Sequence, residues 1–482
     1  MKINIDKFSL RKIFFQISTA GGFLAVVFFP VSVSLSQFGL FLAVAGWVLL
    51  TAHEHFSKNG NAEKDIWKMP FIFSGTLKAA FGIYAVIFIS FMYRYFTEDN
   101  TSINNLFKSE FKDVLLISMA LWTVAYASDE RGRKRIHRWL IAALIILIVS
   151  GLVSIFSKYR LAKIPFHIIH GWEASAQARF QHHAGTMFSG TPFEVHLYIP
   201  IGIMNTHLTY AALLSFLLSG VFFWAIHRFI TADSFRMKAS SLMRMIPFIL
   251  GGIILILNNG RSAIIGFIFS LIAGLYYYSR NYWKRRVLKF IYPSFFIFII
   301  LFLVVVLSPR LGERFEHLLD SLSGKSKVTD YQRYFLWQAS LDVIYENPFI
   351  GTGPGNFRNA VDERILQYSV ETPSLWYAYS VIQRGHAHND VLHLQAIAGM
   401  GAVFFYLLFF YLLVYRLLRP DRPIQNSWFL WGVLVMLPAG LFQCYFQDDE
   451  VLLPFWILAG LVLSNEYSHK KGEGNIGETK EN

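Results

Sequence analysis

Residues 299–307 read IILFLVVVL, and continuously apolar runs of this kind recur from one end of the chain to the other. The hydrocarbon core of a bilayer is roughly 30 Å thick and asks for about 20 apolar residues per helix. The closed barrel, the other structure that satisfies its backbone within lipid, alternates apolar and polar residues along each strand. Unbroken runs therefore predict an all-α polytopic membrane protein. Composition agrees: of 482 residues, 54% are hydrophobic and 17% aromatic, with a mean hydropathy of +0.42. A soluble fold cannot bury that much apolar surface.

About 12 transmembrane helices are predicted, near 14–30, 33–52, 71–95, 112–127, 139–157, 205–230, 244–258, 262–280, 290–307, 390–415, 427–446 and 451–465. The first two are read either as two crossings or as a re-entrant pair, because Pro30 and a short polar link join them. The formal charge of +13 has a membrane explanation. Its cations gather in alternate loops: Arg131-Gly132-Arg133-Lys134-Arg135, Arg236 to Arg244, Lys284-Arg285-Arg286 and Arg416 to Arg422. The turns near Pro30, Asn259 and Gln447 are nearly free of cations, Arg261 excepted. This bias predicts an N-in, C-in topology and membrane lipids as partners, with no nucleic acid. Lys2, Lys7, Arg11 and Lys12 precede the first run without a small-residue cleavage site, so an uncleaved first helix is expected. The single cysteine, Cys444, lies in an apolar run and permits no disulfide framework.

The domain plan that follows is helices 1–9 over 1–307, with an outer loop at 158–204, and a large helical outer segment at 308–389 between helices 9 and 10. Helices 10–12 then occupy 390–466, and 467–482 form a polar, Gly-rich tail expected to be disordered. Within the outer segment Tyr334, Trp337, Leu341 and Ile344 recur at helical spacing, predicting an amphipathic helix stopped by Asn347-Pro348.

Several outer-side residues are candidates for chemistry. Arg261 stands in ILNNGRSAIIGF between two apolar runs; a guanidinium at that depth needs a partner or a watery cavity, and its planar fork suits phosphate oxygens. Snorkelling at a helix end is the bland alternative. Arg179, in SAQARFQHHAGT, is by itself an ordinary loop cation. Arg384-Gly385-His386-Ala387-His388-Asn389-Asp390 runs into a membrane helix with His393 one turn inside. Asn389 or Asp390 suits an N-cap, which leaves His388 at the mouth of the bundle, able to take a proton or merely bonding backbone. His386, His388 and Asp390 also spell H-x-H-x-D, but without the strand context of a zinc hydrolase, so no metal is expected. The run from Asn347 to Phe357 lacks the Lys-Ser/Thr of a phosphate loop and is expected to be a tight turn. Gln447-Asp448-Asp449-Glu450 is expected to be a solvated turn, or else to orient a sugar or an arginine.

Four elements in order resemble the O-antigen ligase and O-antigen polymerase superfamily over roughly 200–460. They are IMNTHLTYAALL (203–214), NNGRSAIIGF (258–267), Arg333-Tyr334-Phe335-Leu336-Trp337 through Asn347–Gly353, and His388-Asn389 followed by Leu392 and Gly399. The chain departs from many members in carrying Ile397 where a Glu is common, with its second glycine at Gly401. The resemblance implies metal-independent, cofactor-free transfer of a glycan from undecaprenyl pyrophosphate to a sugar hydroxyl, on the periplasmic face of a bacterial inner membrane. It implies His388 as the catalytic base and Arg261, Arg179 and Arg333 on the pyrophosphate, with Asn389, His386 and Arg384 in support. Trp337 and Trp376 are then expected to stack on sugars. A ligase using a lipid A core acceptor is the leading expectation, with a polymerase extending lipid-linked repeats behind it. Transfer to a protein side chain is a third. A transporter or flippase fits twelve helices too, but the halves show no symmetry and the charges gather at the outer ends rather than at mid-membrane, Lys78 excepted.

Overall fold

The computed structural model describes residues 7–56, 74–97, 102–157, 159–170, 184–187, 195–232, 234–278, 328–371, 385–418 and 428–477. Among these, eight helices are long and apolar enough to cross a bilayer, and the chain is a polytopic helical membrane protein. The first pair, α1 (Lys7–Phe28) and α2 (Val33–Phe56), are both of crossing length. They pack as a tight hairpin in which a methyl on Gly21 would lie 2.2 Å from the Ala43 amide nitrogen. Small residues let the two backbones approach where lipid offers no hydrophobic drive.

Next come α3 (Gly75–Thr97), the short α4 (Ile103–Lys108), α5 (Ile117–Tyr126) and α6 (Glu130–Phe156). Lys78 is exposed near the start of α3. The crossing expected at 112–127 is not one continuous helix, because Glu110–Leu116 form a 3-10 helix before α5. The outer loop holds α7 (Ile164–His170) and one feature outside the all-α expectation, an antiparallel pair of β1 (Ala184–Met187) and β2 (Val195–Tyr198). The hub is α8 (His207–Ile230), started by the Thr206 side chain and 89% buried over its apolar window. Around it stand α6, α10 (Ile246–Asn258, preceded by α9, Phe235–Met243) and α11 (Arg261–Tyr278). The predicted crossing at 290–307 lies outside the described residues.

In the outer segment α12 (Val328–Glu346) ends before Asn347-Pro348 as expected and packs on α13 (Phe357–Glu371). Its buried face is rotated from the one the spacing suggested. Ile344 is buried and Trp337 half-buried as expected, but Leu336, Ala339 and Val343 share the buried face, whereas Tyr334 is 62% and Leu341 53% exposed. Local periodicity showed that a stripe existed; the partner helices chose its angle. The next crossing is made of two pieces, α14 (Asp390–Ala398) and α15 (Met400–Leu417), broken at Gly399 with φ +74°. Into the break fits the glycine-rich turn: Thr352 and Gly353 donate to the Ala396 and Ile397 carbonyls at 2.8 and 2.9 Å, and Met400 donates to Pro348 at 3.0 Å. The carbonyls a broken helix leaves open are thus satisfied. Arg94 and Ser90 on α3 hold the same turn through the Gly351 and Ile350 carbonyls. A 3-10 turn (Trp428–Gly432) leads into α16 (Val433–Ala439), and α17 (Asp449–Gly477) closes the chain, continuing into the stretch expected to be a tail.

Candidate active site

The candidate residues gather at one end of the bundle because helix starts, turns and breaks coincide there. Asn389 is the N-cap of α14, its Oδ1 accepting from the Leu392 amide at 3.0 Å. Asp390, the other candidate cap, is instead buried, accepting from the Phe446 amide at 2.9 Å and from the Tyr406 hydroxyl at 3.3 Å. It thereby pins the loop at residues 440–448 against α14. Immediately before this cap, His388 adopts φ +50°, a left-handed conformation unusual for a residue with a side chain.

That loop carries what local sequence reading missed. The Gln443 side-chain oxygen lies 2.8 Å from Nδ1 of His388. With a carbonyl oxygen facing it, Nδ1 carries the ring proton and donates it, which leaves Nε2 as the proton acceptor. Burial, aided by the charges of Arg333 and His393, lowers the His388 pKa from its ordinary value, against the opposing hydrogen bond that Nδ1 donates to Gln443. The ring is therefore neutral at neutral pH, the state a general base needs. His386 packs edge-on against it, ring centroids 4.4 Å apart. Burial first, then the neighbouring histidines and Arg333, push His386 down to about 3, so it does not take up a proton in the working range. Among the described residues no cluster of histidine, cysteine and carboxylate side chains is arranged to hold a metal ion.

The backbone that presents His388 is fixed from both sides. The Trp337 indole donates to the Ala387 carbonyl at 2.8 Å, so its N–H braces the loop and is not free to meet a sugar. The Ala387 amide faces Nδ1 of His393 at 3.4 Å, and Nε2 of His393 meets Glu110 at 3.2 Å. The second oxygen of Glu110 accepts from the Gly355 amide at 3.1 Å. Nothing in local sequence links Glu110 to His388; the join spans most of the fold.

Arg333 reaches the same loop, donating to the Phe442 carbonyl at 3.3 Å, and its charge acts on His386, His388 and Tyr445. Arg261 is the first residue of α11, placed there by a left-handed turn at Asn259 (φ +59°). Its guanidinium has no hydrogen bond or ion pair among the described residues, and the amide end of α11 adds positive potential beside it. The neighbouring Ser262 hydroxyl lies 2.9 Å from that of Tyr445, so one loop ties the Arg261 turn to His388. Arg179, Arg384 and Trp376 lie outside the described residues. The acidic turn is not freely solvated: Asp448 accepts from Thr209 at 2.7 Å, Asp449 from Gln37 at 2.9 Å and Glu450 from Asn205 at 3.3 Å. Burial pushes Asp448 up to about 6 and, with the charge of Asp448 beside it, Glu450 up to about 7.

Fold and site define a class: a multi-pass helical membrane protein whose titratable and cationic groups converge at one end of the bundle. Residues 246–407 match the family model described as O-antigen ligase. That stretch, about a third of the chain, is similar to that family, and it contains Arg261, Arg333, His386, His388 and Asn389. No curated protein matches the chain.

Proposed function

We propose that the protein is an O-antigen ligase of the bacterial inner membrane, joining a glycan carried on undecaprenyl pyrophosphate to a sugar hydroxyl of the lipid A core. The observation that carries this reading is His388, neutral and with Nε2 left as acceptor by Gln443, at the same end as Arg261, whose guanidinium has no partner among the described residues. In the proposed step the acceptor hydroxyl gives its proton to Nε2, and its oxygen forms a bond to the anomeric carbon of the donor. The bond from that carbon to the phosphate oxygen breaks, and undecaprenyl pyrophosphate leaves with the electron pair, inverting the anomeric centre. The charge growing on the leaving group is met by Arg261 and Arg333, with Arg179 proposed as a third cation. The topology that suits this chemistry is twelve crossings, N-in and C-in, with His388 towards the periplasm.

The test is transfer in proteoliposomes holding the full chain, a lipid-linked glycan and lipid A core. His388→Ala is expected to lower the rate by roughly 10²- to 10⁴-fold, the usual worth of a general base. Unchanged transfer would remove His388 from the mechanism. Ligase and polymerase part on the lipopolysaccharide of a deletion strain. Loss of the whole ladder, with long chains left on the carrier, marks a ligase; a core bearing a single repeat unit marks a polymerase.

A further inference from the structure

At the end of the bundle opposite His388 lies a cleft of about 350 Å³, between the first turns of α1, the last turns of α2 and the α5–α6 corner. Its chemistry is two-sided. Phe15, Leu50, Ala125 and Tyr126 make an apolar floor, with Phe15 stacked on Tyr126 at 6.3 Å and Tyr126 stacked in turn on Trp122 at 4.8 Å. Arg11, Lys12 and Arg135 ring the mouth. Arg11 is paired with Glu54 at 3.0 Å, and the other acid in the lining, Asp129, is spent as the N-cap of α6. Among the described residues Lys12 has no partner, and Arg135 donates only to the Tyr126 hydroxyl, at 3.2 Å. Two cations are therefore left over for an anion.

We infer that this cleft binds one anionic phospholipid, its phosphodiester between Lys12 and Arg135 and the start of an acyl chain on the Phe15–Tyr126 floor. A lipid fits better than a soluble phosphate because the floor opens onto lipid-facing surface. The crossings of α1 and α2 are only 33% and 39% buried, and Ile13, Phe15 and Leu49 beside the cleft are 43%, 38% and 46% exposed. A chain leaving the cleft thus stays in hydrocarbon. The site lies far from the proposed transfer chemistry and stands whether or not that reading holds.

The test is native mass spectrometry of the full-length purified protein titrated with phosphatidylglycerol, and separately with phosphatidylcholine of the same acyl chains. One phosphatidylglycerol is expected to be retained, and phosphatidylcholine not. Lys12→Ala with Arg135→Ala should weaken retention about thirtyfold, the worth of two cations near an anionic headgroup. Arg138→Ala, an exposed cation on α6 outside the cleft lining, should leave it unchanged. Phe15→Ala keeps the charges and should also weaken retention; it decides the matter if the double variant fails to fold. Equal retention of both lipids, or equal loss in Arg138→Ala, would overturn the proposal. So would displacement of phosphatidylglycerol by millimolar inorganic phosphate, which would mark a free-phosphate site instead.

Discussion

Replacing Gln443 by leucine keeps the His388 ring in its cavity but removes the oxygen that holds its Nδ1 proton. Either tautomer then becomes available, and transfer is expected to fall about tenfold to a hundredfold in kcat with KM little changed, read by steady-state kinetics in proteoliposomes. Gln443→Glu sets a carboxylate there instead. Because the proposed active form is the neutral ring, whose pKa burial holds low, a negative neighbour is expected to raise that pKa and move the acid limb of the rate profile to higher pH. Profiles measured between about pH 5 and pH 8 separate the two variants; an unmoved limb would show that another group controls it. Glu110 acts one layer further out. Burial alone would raise its pKa, but the hydrogen bond and charge of His393 and the Gly355 amide bring it below the ordinary value. A carboxylate with a lowered folded pKa contributes stability that is full above its unfolded pKa and is lost as pH falls through the folded one. Glu110→Gln should therefore unfold at a lower temperature than the parent at neutral pH, with the gap closing in acid.

The break between α14 and α15 is the element on which the outer segment hangs. A methyl on Gly399 would stand 2.1 Å from the Phe349 carbonyl oxygen, at a φ that side chains rarely adopt, and one on Gly351 would stand 2.4 Å from the Ala398 nitrogen. Alanine at either position is expected to cost about 1–3 kcal/mol or more, seen as a lower Tm in detergent. Gly385→Ala, where a methyl meets nothing within 4 Å among the described residues, should leave Tm where it was. The element scale also shows what sequence could convey. The end of α12 before Pro348, the Asn389 cap and the turn rich in glycine were legible because each is a short-range backbone preference. The angle of α12 was not, since Tyr334 and Leu341 are as apolar as the residues that are buried and only α13 and α14 decide which face turns inward. Gln443 and Glu110 were equally hidden, lying 55 and 283 positions from the histidines they hold.

For the molecule as a whole, the polytopic class was legible because lipid imposes one rule on every crossing. The exact number of crossings was harder, since α5 and α16 are short helices packed mainly on α17 and α11 respectively, so their lengths answer to protein neighbours more than to the bilayer. Sidedness can be tested directly because the single cysteine, Cys444, is buried. Asn104 and Glu130 are both exposed, at opposite ends of the bundle. In intact spheroplasts a membrane-impermeant maleimide should label Asn104→Cys and spare Glu130→Cys; the reverse pattern would invert the topology and with it the proposed periplasmic site.

The stretch 246–407 ends before the loop at 440–448 begins. It brings the imidazole but not the amide that fixes its proton, and not the carboxylate that steadies His393. The proposed transfer unit is therefore not a cassette. Moved into another membrane scaffold, residues 246–407 would carry Arg261, Arg333 and the histidines of the proposed site, but neither Arg179 nor the two partners that leave the His388 ring one defined lone pair.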